Sequence, residues 1–202
     1  MGRVLLLVFF VILGLASYFV VVTYQDTYRV LPGDLSEPEA VDIFREWRLF
    51  TPENGTFAVL LPLMPNMTED RVEDPSTREM RLYDIYVSEK SNGTIFIVNT
   101  IQYPDRRPED AELLQEVTAE LLRMFPQSKL VDEKRKEYLG REAIEVEVEN
   151  PKAKLLGKAF IVDNTLYLLS YMADRRYYDQ EEYQYFLDSF RIYDDRLKEG
   201  DE

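Results

Sequence analysis

Leu155-Leu156-Gly157-Lys158-Ala159-Phe160-Ile161-Val162, an Asp163-Asn164 turn, and Leu166-Tyr167-Leu168-Leu169-Ser170-Tyr171-Met172 read as a hairpin whose second strand decides the fold. Successive side chains of a strand point to opposite faces, so Leu166, Leu168 and Met172 share one face and Tyr167, Leu169 and Tyr171 the other. A strand that is apolar on both sides needs cover above and below, which places it in the middle of a sheet. Residues 94–102 have the same character, with Ile95, Ile97 and Ile101 set against Phe96 and Val98.

Further strand signals lie at 47–50, 57–61 and 80–87, and the last joins 94–102 through Asn92-Gly93, a favoured hairpin turn. Two more follow at 128–138 and 141–149. Between the two groups, Pro108 with Glu109, Asp110 and Glu112 opens a helix whose Leu113, Leu114, Val117, Leu121, Met124 and Phe125 recur at helical spacing until Pro126. A second helix is expected from Asp179 to Arg191. Asp179 precedes Glu182 by three residues, as in a capping box, and Tyr183, Phe186, Leu187 and Phe190 share one face. Both stripes are the buried faces of amphipathic helices rather than cofactor boxes. The expected fold is α+β, an antiparallel sheet covered by helices on both faces, preceded by one transmembrane helix.

That preceding helix is read from Val4 to Val22, where no charged side chain interrupts the apolar run. At 1.5 Å per residue such a run nearly crosses a hydrocarbon core of about 30 Å. Ala16-Ser17 offers a signal-peptidase cleavage pattern as the rival reading. The run continues through Phe19 to Val22, beyond the usual length of a removable segment, which favours an uncleaved anchor. Arg3 before the span and an acidic chain after it place the amino terminus in the cytoplasm and the remainder outside, in the periplasm or extracellular space. The expected organisation is an anchor at 1–24, a stalk at 25–46 with a short helix near 39–46, an exported domain at 47–195 and an acidic tail at 196–202. Asn54, Asn66 and Asn92 each begin a glycosylation acceptor pattern. For Asn92-Gly93 and Asn54-Gly55, turn geometry is a sufficient explanation.

Composition narrows the chemistry. The 202 residues include no cysteine and no histidine, so disulfides, thiolate nucleophiles, zinc–thiolate sites and histidine-based triads are absent. With 38 acidic against 24 basic residues the net charge is −14, which disfavours binding to nucleic acid. Glu145, Glu147 and Glu149 share one strand face and invite a cation-site reading. Lys152, Lys154 and Lys158, just across the Asn150-Pro151 turn, explain them better as cross-strand ion pairs. No catalytic, cofactor-binding or metal-binding set emerges. Fourteen tyrosines crowd towards the carboxy end, and Arg175, Arg176, Tyr177 and Tyr178 together have the Tyr–Arg character of a protein interface.

The order of signals resembles a known family. A first strand Phe57-Ala58-Val59-Leu60-Leu61-Pro62 with Pro65 close behind leads to a hairpin, a helix and antiparallel strands. A Gly140-Arg141-Glu142-Ala143 opening, a Tyr-rich strand and a closing Phe186-Leu187-Asp188-Ser189-Phe190 complete the pattern. This resembles the PsbP-like fold, shared by the extrinsic PsbP protein of photosystem II, the bacterial envelope lipoprotein DcrB and a Ran-binding nuclear import factor. The resemblance covers about residues 45–193 and implies non-enzymatic docking to, or assembly of, larger complexes at a membrane. The chain departs from lipoprotein members in having a hydrophobic span in place of a modified cysteine, and from photosystem members in its acidic surface. The expectation is therefore a membrane-anchored, extracytoplasmic, non-enzymatic interaction or assembly module with a protein partner. A small-molecule or cation-binding module using a cleft beside the sheet is the alternative, ahead of an enzyme built on acidic residues.

Overall fold

The computed structural model describes residues 44–73, 78–104, 109–125 and 127–193. The expected anchor from Val4 to Val22, nearly all of the stalk and the acidic tail lie outside them, and residues 44–46 form a turn. No helix among the described residues is long and apolar enough to cross a membrane.

A seven-stranded antiparallel sheet dominates. In chain order its strands are β3 (Asn66–Glu73), β4 (Met80–Glu89), β5 (Ile95–Gln102), β6 (Lys129–Tyr138), β7 (Arg141–Glu149), β8 (Ala153–Val162) and β9 (Thr165–Asp174). In space the order is β3-β4-β5-β9-β8-β7-β6, which puts β9 at the centre with β5 beside it. These are the two strands whose sequences are apolar on both faces. A small sheet of β1 (Arg48–Phe50), β2 (Phe57–Leu61) and β10 (Arg191–Ile192) is ordered β1-β2-β10.

Two helices pack on this framework, α1 (Asp110–Met124) and α2 (Gln180–Ser189). On one face of β9, Leu166, Leu168 and Met172 join Leu113, Leu114, Val117 and Leu121 of α1 in a single core cluster. Gly157 of β8 makes the approach possible, because a Cβ there would lie 3.2 Å from Leu121 Cδ1. On the other face, Tyr167, Leu169 and Tyr171 pack with Phe57, Val59 and Leu61 of β2 and with Tyr183, Phe186 and Leu187 of α2. This corrects the expectation of helices on both faces in one respect. The second face is closed by the small sheet and α2 together, and Phe57 stacks on Phe190 at 5.3 Å and meets Tyr86 edge-on at 5.4 Å.

Several local readings change too. Strand β3 is an addition to the expected elements: the sequence offers only a glycosylation pattern at Asn66 there, and six of the eight side chains of the strand are exposed. The β4–β5 hairpin closes through a longer loop than a two-residue Asn-Gly turn. Gly93, at φ +80°, donates to the Lys90 carbonyl, and Lys90 N–H donates to Thr94 O at 2.8 Å. Asp179 does cap α2, accepting from Glu181 N–H at 2.8 Å, but the expected capping box does not form. Tyr171 Oη takes the Asp179 N–H instead, at 3.0 Å, and Glu182 pairs with Lys90 of the β4–β5 hairpin. This ties α2 to the sheet at its first turn.

Candidate functional site

The residues singled out for an interface, Arg175, Arg176, Tyr177 and Tyr178, occupy the turn between the central strand β9 and α2. The turn begins at Asp174, the last residue of β9, whose carbonyl accepts the Tyr177 N–H at 2.9 Å. Its carboxylate takes the Arg176 N–H at 2.9 Å and grips the Arg176 guanidinium through two bonds of 3.0 and 3.1 Å. Those hydrogen bonds from Arg176 outweigh partial burial and hold the Asp174 carboxyl below the usual aspartate range. The guanidinium lies 5.4 Å from the centre of the Tyr177 ring.

Arg175, Arg176 and Tyr177 are all exposed and Tyr178 is half-buried, but two of the four, Arg175 and Tyr178, are held by other strands. Arg176 has a side chain 76% exposed and Tyr177 is 45% exposed. Arg175 turns back onto the sheet, with Nε 3.1 Å from the Asn150 carbonyl and a guanidinium nitrogen 2.8 Å from Glu149. Tyr178 packs against the second core cluster, 6.0 Å from the Tyr171 ring, and its hydroxyl pairs with Gln180. Lys154 Nζ sits 4.2 Å from the Tyr178 ring centre and bonds Glu147 at 2.8 Å.

Next to this turn runs the ladder of charges on β6, β7 and β8. Glu145 is held by Lys158 at 2.8 Å and by Lys136; Glu149 is held by Lys129 at 3.0 Å and by Arg175. Burial opposes the charge on Glu145, but the hydrogen bonds from Lys136 and Lys158 prevail and hold its carboxyl below the usual glutamate range. For Glu149 the hydrogen bond from Lys129 leads in the same direction. The three carboxylates are thus neutralised by cations, as expected for Lys154 and Lys158. The cations that β6 contributes were not foreseen, because the β6–β7 register sets them in place. Asp174, which fixes Arg176, was also missed; the signal available was a carboxylate two residues before an arginine at a strand end. Among the described residues, no group of three or more acidic side chains has a geometry suited to a metal ion.

No family model matches the sequence, and no curated protein matches it. Among solved structures, the solution structure of cyanobacterial PsbP (CyanoP) from Synechocystis sp. PCC 6803 is similar. It has a TM-score of 0.52 at 11% sequence identity, over 80% of this chain and 100% of that one. The chain has a PsbP-like fold.

Proposed function

We propose that this chain is a membrane-anchored, extracytoplasmic and non-enzymatic module that docks to a protein partner or helps assemble a protein complex. The Val4 to Val22 segment is its anchor, and the Arg176–Tyr177 pair is the centre of its contact surface. The observation that carries this reading is the turn after β9. There an exposed arginine and tyrosine are set against each other and fixed by Asp174, on the end of the central strand of the sheet. A fixed Arg–Tyr pair has little side-chain freedom left to lose on binding, and these two residue types recur at the centres of protein interfaces. The PsbP-like fold and the absence from the sequence of cysteine and histidine support the non-enzymatic part.

The test substitutes Arg176→Ser and Tyr177→Ser in the full chain and measures photo-crosslinking to partners in the native membrane. Crosslinking falls at least about tenfold, the loss of one interface anchor, while near-ultraviolet circular dichroism is unchanged. Unaltered crosslinking would remove the turn from the interface.

A further inference from the structure

We infer that a cluster of apolar side chains beside the start of the domain, centred on Leu63 and Met64, rests on the bilayer that the chain's own Val4 to Val22 segment spans. The inference depends on the anchoring reading above. Leu63 and Met64 are 53% and 57% exposed and follow directly on β2; Met67 on β3 and Leu49 on β1 are exposed as well. Leu63 and Met64 stand in the β2–β3 connection and Met67 and Leu49 on edge strands, and large apolar side chains left uncovered there are an association hazard.

The location identifies the cover. The Leu63 backbone is fixed, its N–H donating to Ser88 Oγ at 3.1 Å and its carbonyl accepting from the same hydroxyl at 2.8 Å. Ser88 stands opposite Phe96 in the sheet, and the Phe96 ring lies 5.0 Å from Trp47. Trp47 N–H in turn bonds the carbonyl of Phe44, the first described residue, whose ring is stacked on Tyr185 at 4.1 Å. The β1–β2 register, with Arg48 opposite Leu61, likewise sets Leu63 and Met64, just beyond β2, on the side where the chain enters the domain at 44–47.

Residues 23–43 alone separate Val22 from Phe44. At about 3.6 Å per residue that segment reaches no more than about 75 Å, so the bilayer is held near this end of the domain at high effective concentration. Flexible methionine and leucine side chains suit the headgroup–acyl boundary. Arg45, Glu46 and Arg48 are exposed at the chain's entry and Glu69 on β3, so charges of both signs border the patch, while the net charge of −14 resists broader contact with an anionic surface.

The absence of cysteine gives a direct test. The full chain carrying Met64→Cys, or Glu137→Cys on β6 as control, is labelled with an environment-sensitive dye and reconstituted into phosphatidylcholine vesicles with nitroxide-labelled acyl chains. The dye at position 64 shifts to the blue and is quenched about twofold or more relative to vesicles without nitroxide, while that at 137 stays in water. Adding Leu63→Ser to Met67→Cys reduces the quenching reported from position 67. A chain that resists alkaline extraction from the vesicles yet shows an unquenched position 64 would overturn the docking and leave the anchor standing. A blue shift without quenching would also overturn it, assigning the patch to a protein such as a second copy. Failure to resist extraction would overturn the anchor and the docking together.

Discussion

The two wings of the sheet, on either side of β9, treat their carboxylates differently. Towards β6, Glu145 and Glu149 each stand between two cations and Glu147 bonds Lys154, so the outer surface is neutralised from within. Towards β3, Glu69 and Asp84 face one another across neighbouring strands, with Thr100 next in the row at 3.4 Å. Burial first, and Glu69 second, push the Asp84 carboxyl up, against the hydrogen bond from Thr100. The difference shows how each wing is held. The β6 wing exposes Leu130 and Val131 but surrounds them with an ionic fringe that discourages another strand from adding, whereas the β3 wing depends on the aromatic packing of Tyr86, Phe57 and Phe50 and leaves Leu63, Met64 and Met67 uncovered.

The largest expected effect breaks the aromatic side of the comparison. Phe57→Ala removes a fully buried ring that touches Phe50, Tyr86, Tyr167 and Phe190, and is expected to cost about 3–5 kcal/mol in urea unfolding. Lys136→Ala in the ionic fringe is expected to cost less than about 1 kcal/mol, because Lys136 is half exposed to solvent and Glu145 keeps Lys158. Similar losses from the two changes would erase the distinction.

A smaller effect separates the wings by pH. Glu145 titrates below its ordinary range in the fold, so its stabilisation is complete above the unfolded-state pKa and is lost as pH falls through the lower folded value. Asp84 titrates above its ordinary range, so protonation favours the fold, and that gain disappears as pH rises through the raised value. Urea midpoints measured from pH 3 to 7 are expected to show a shallower acid decline for Glu145→Gln and a higher neutral midpoint for Asp84→Asn. Equal pH profiles for both variants would contradict the assignment. The smallest effect is at the β6–β7 hairpin, where Leu139 at φ +51° precedes Gly140 at +72°. Leu139→Asn places a residue tolerant of that conformation in the turn and is expected to stabilise by up to about 1 kcal/mol by thermal unfolding.

The central strands were legible because alternation of large apolar side chains on both faces of β5 and β9 leaves few other places to put them. Both helices were legible from their stripes, although α2 ends at Ser189 and β10 follows at once. Strand β3 was not. Asn66-Met67-Thr68-Glu69-Asp70-Arg71 has no buried face to impose a period, and only its pairing with β4 makes it a strand. At the candidate site, residue types pointed to the turn after β9. They did not separate Arg176 and Tyr177 from Arg175 and Tyr178, which other strands hold, because that division depends on where Glu149, Asn150 and Lys154 arrive. The ladder on β7 was legible towards β8, through a short turn, and not towards β6, where a bulge between Leu130 and Asp132 shifts the register.

The most direct test of the account is crosslinked capture from the native membrane, comparing the full chain with residues 1–43 alone and reading both by mass spectrometry. The account predicts a stoichiometric protein partner captured by the full chain only, and reduced when Tyr177 is replaced by Ser. Identical captures from the two would contradict the claim that the PsbP-like domain is an interaction module.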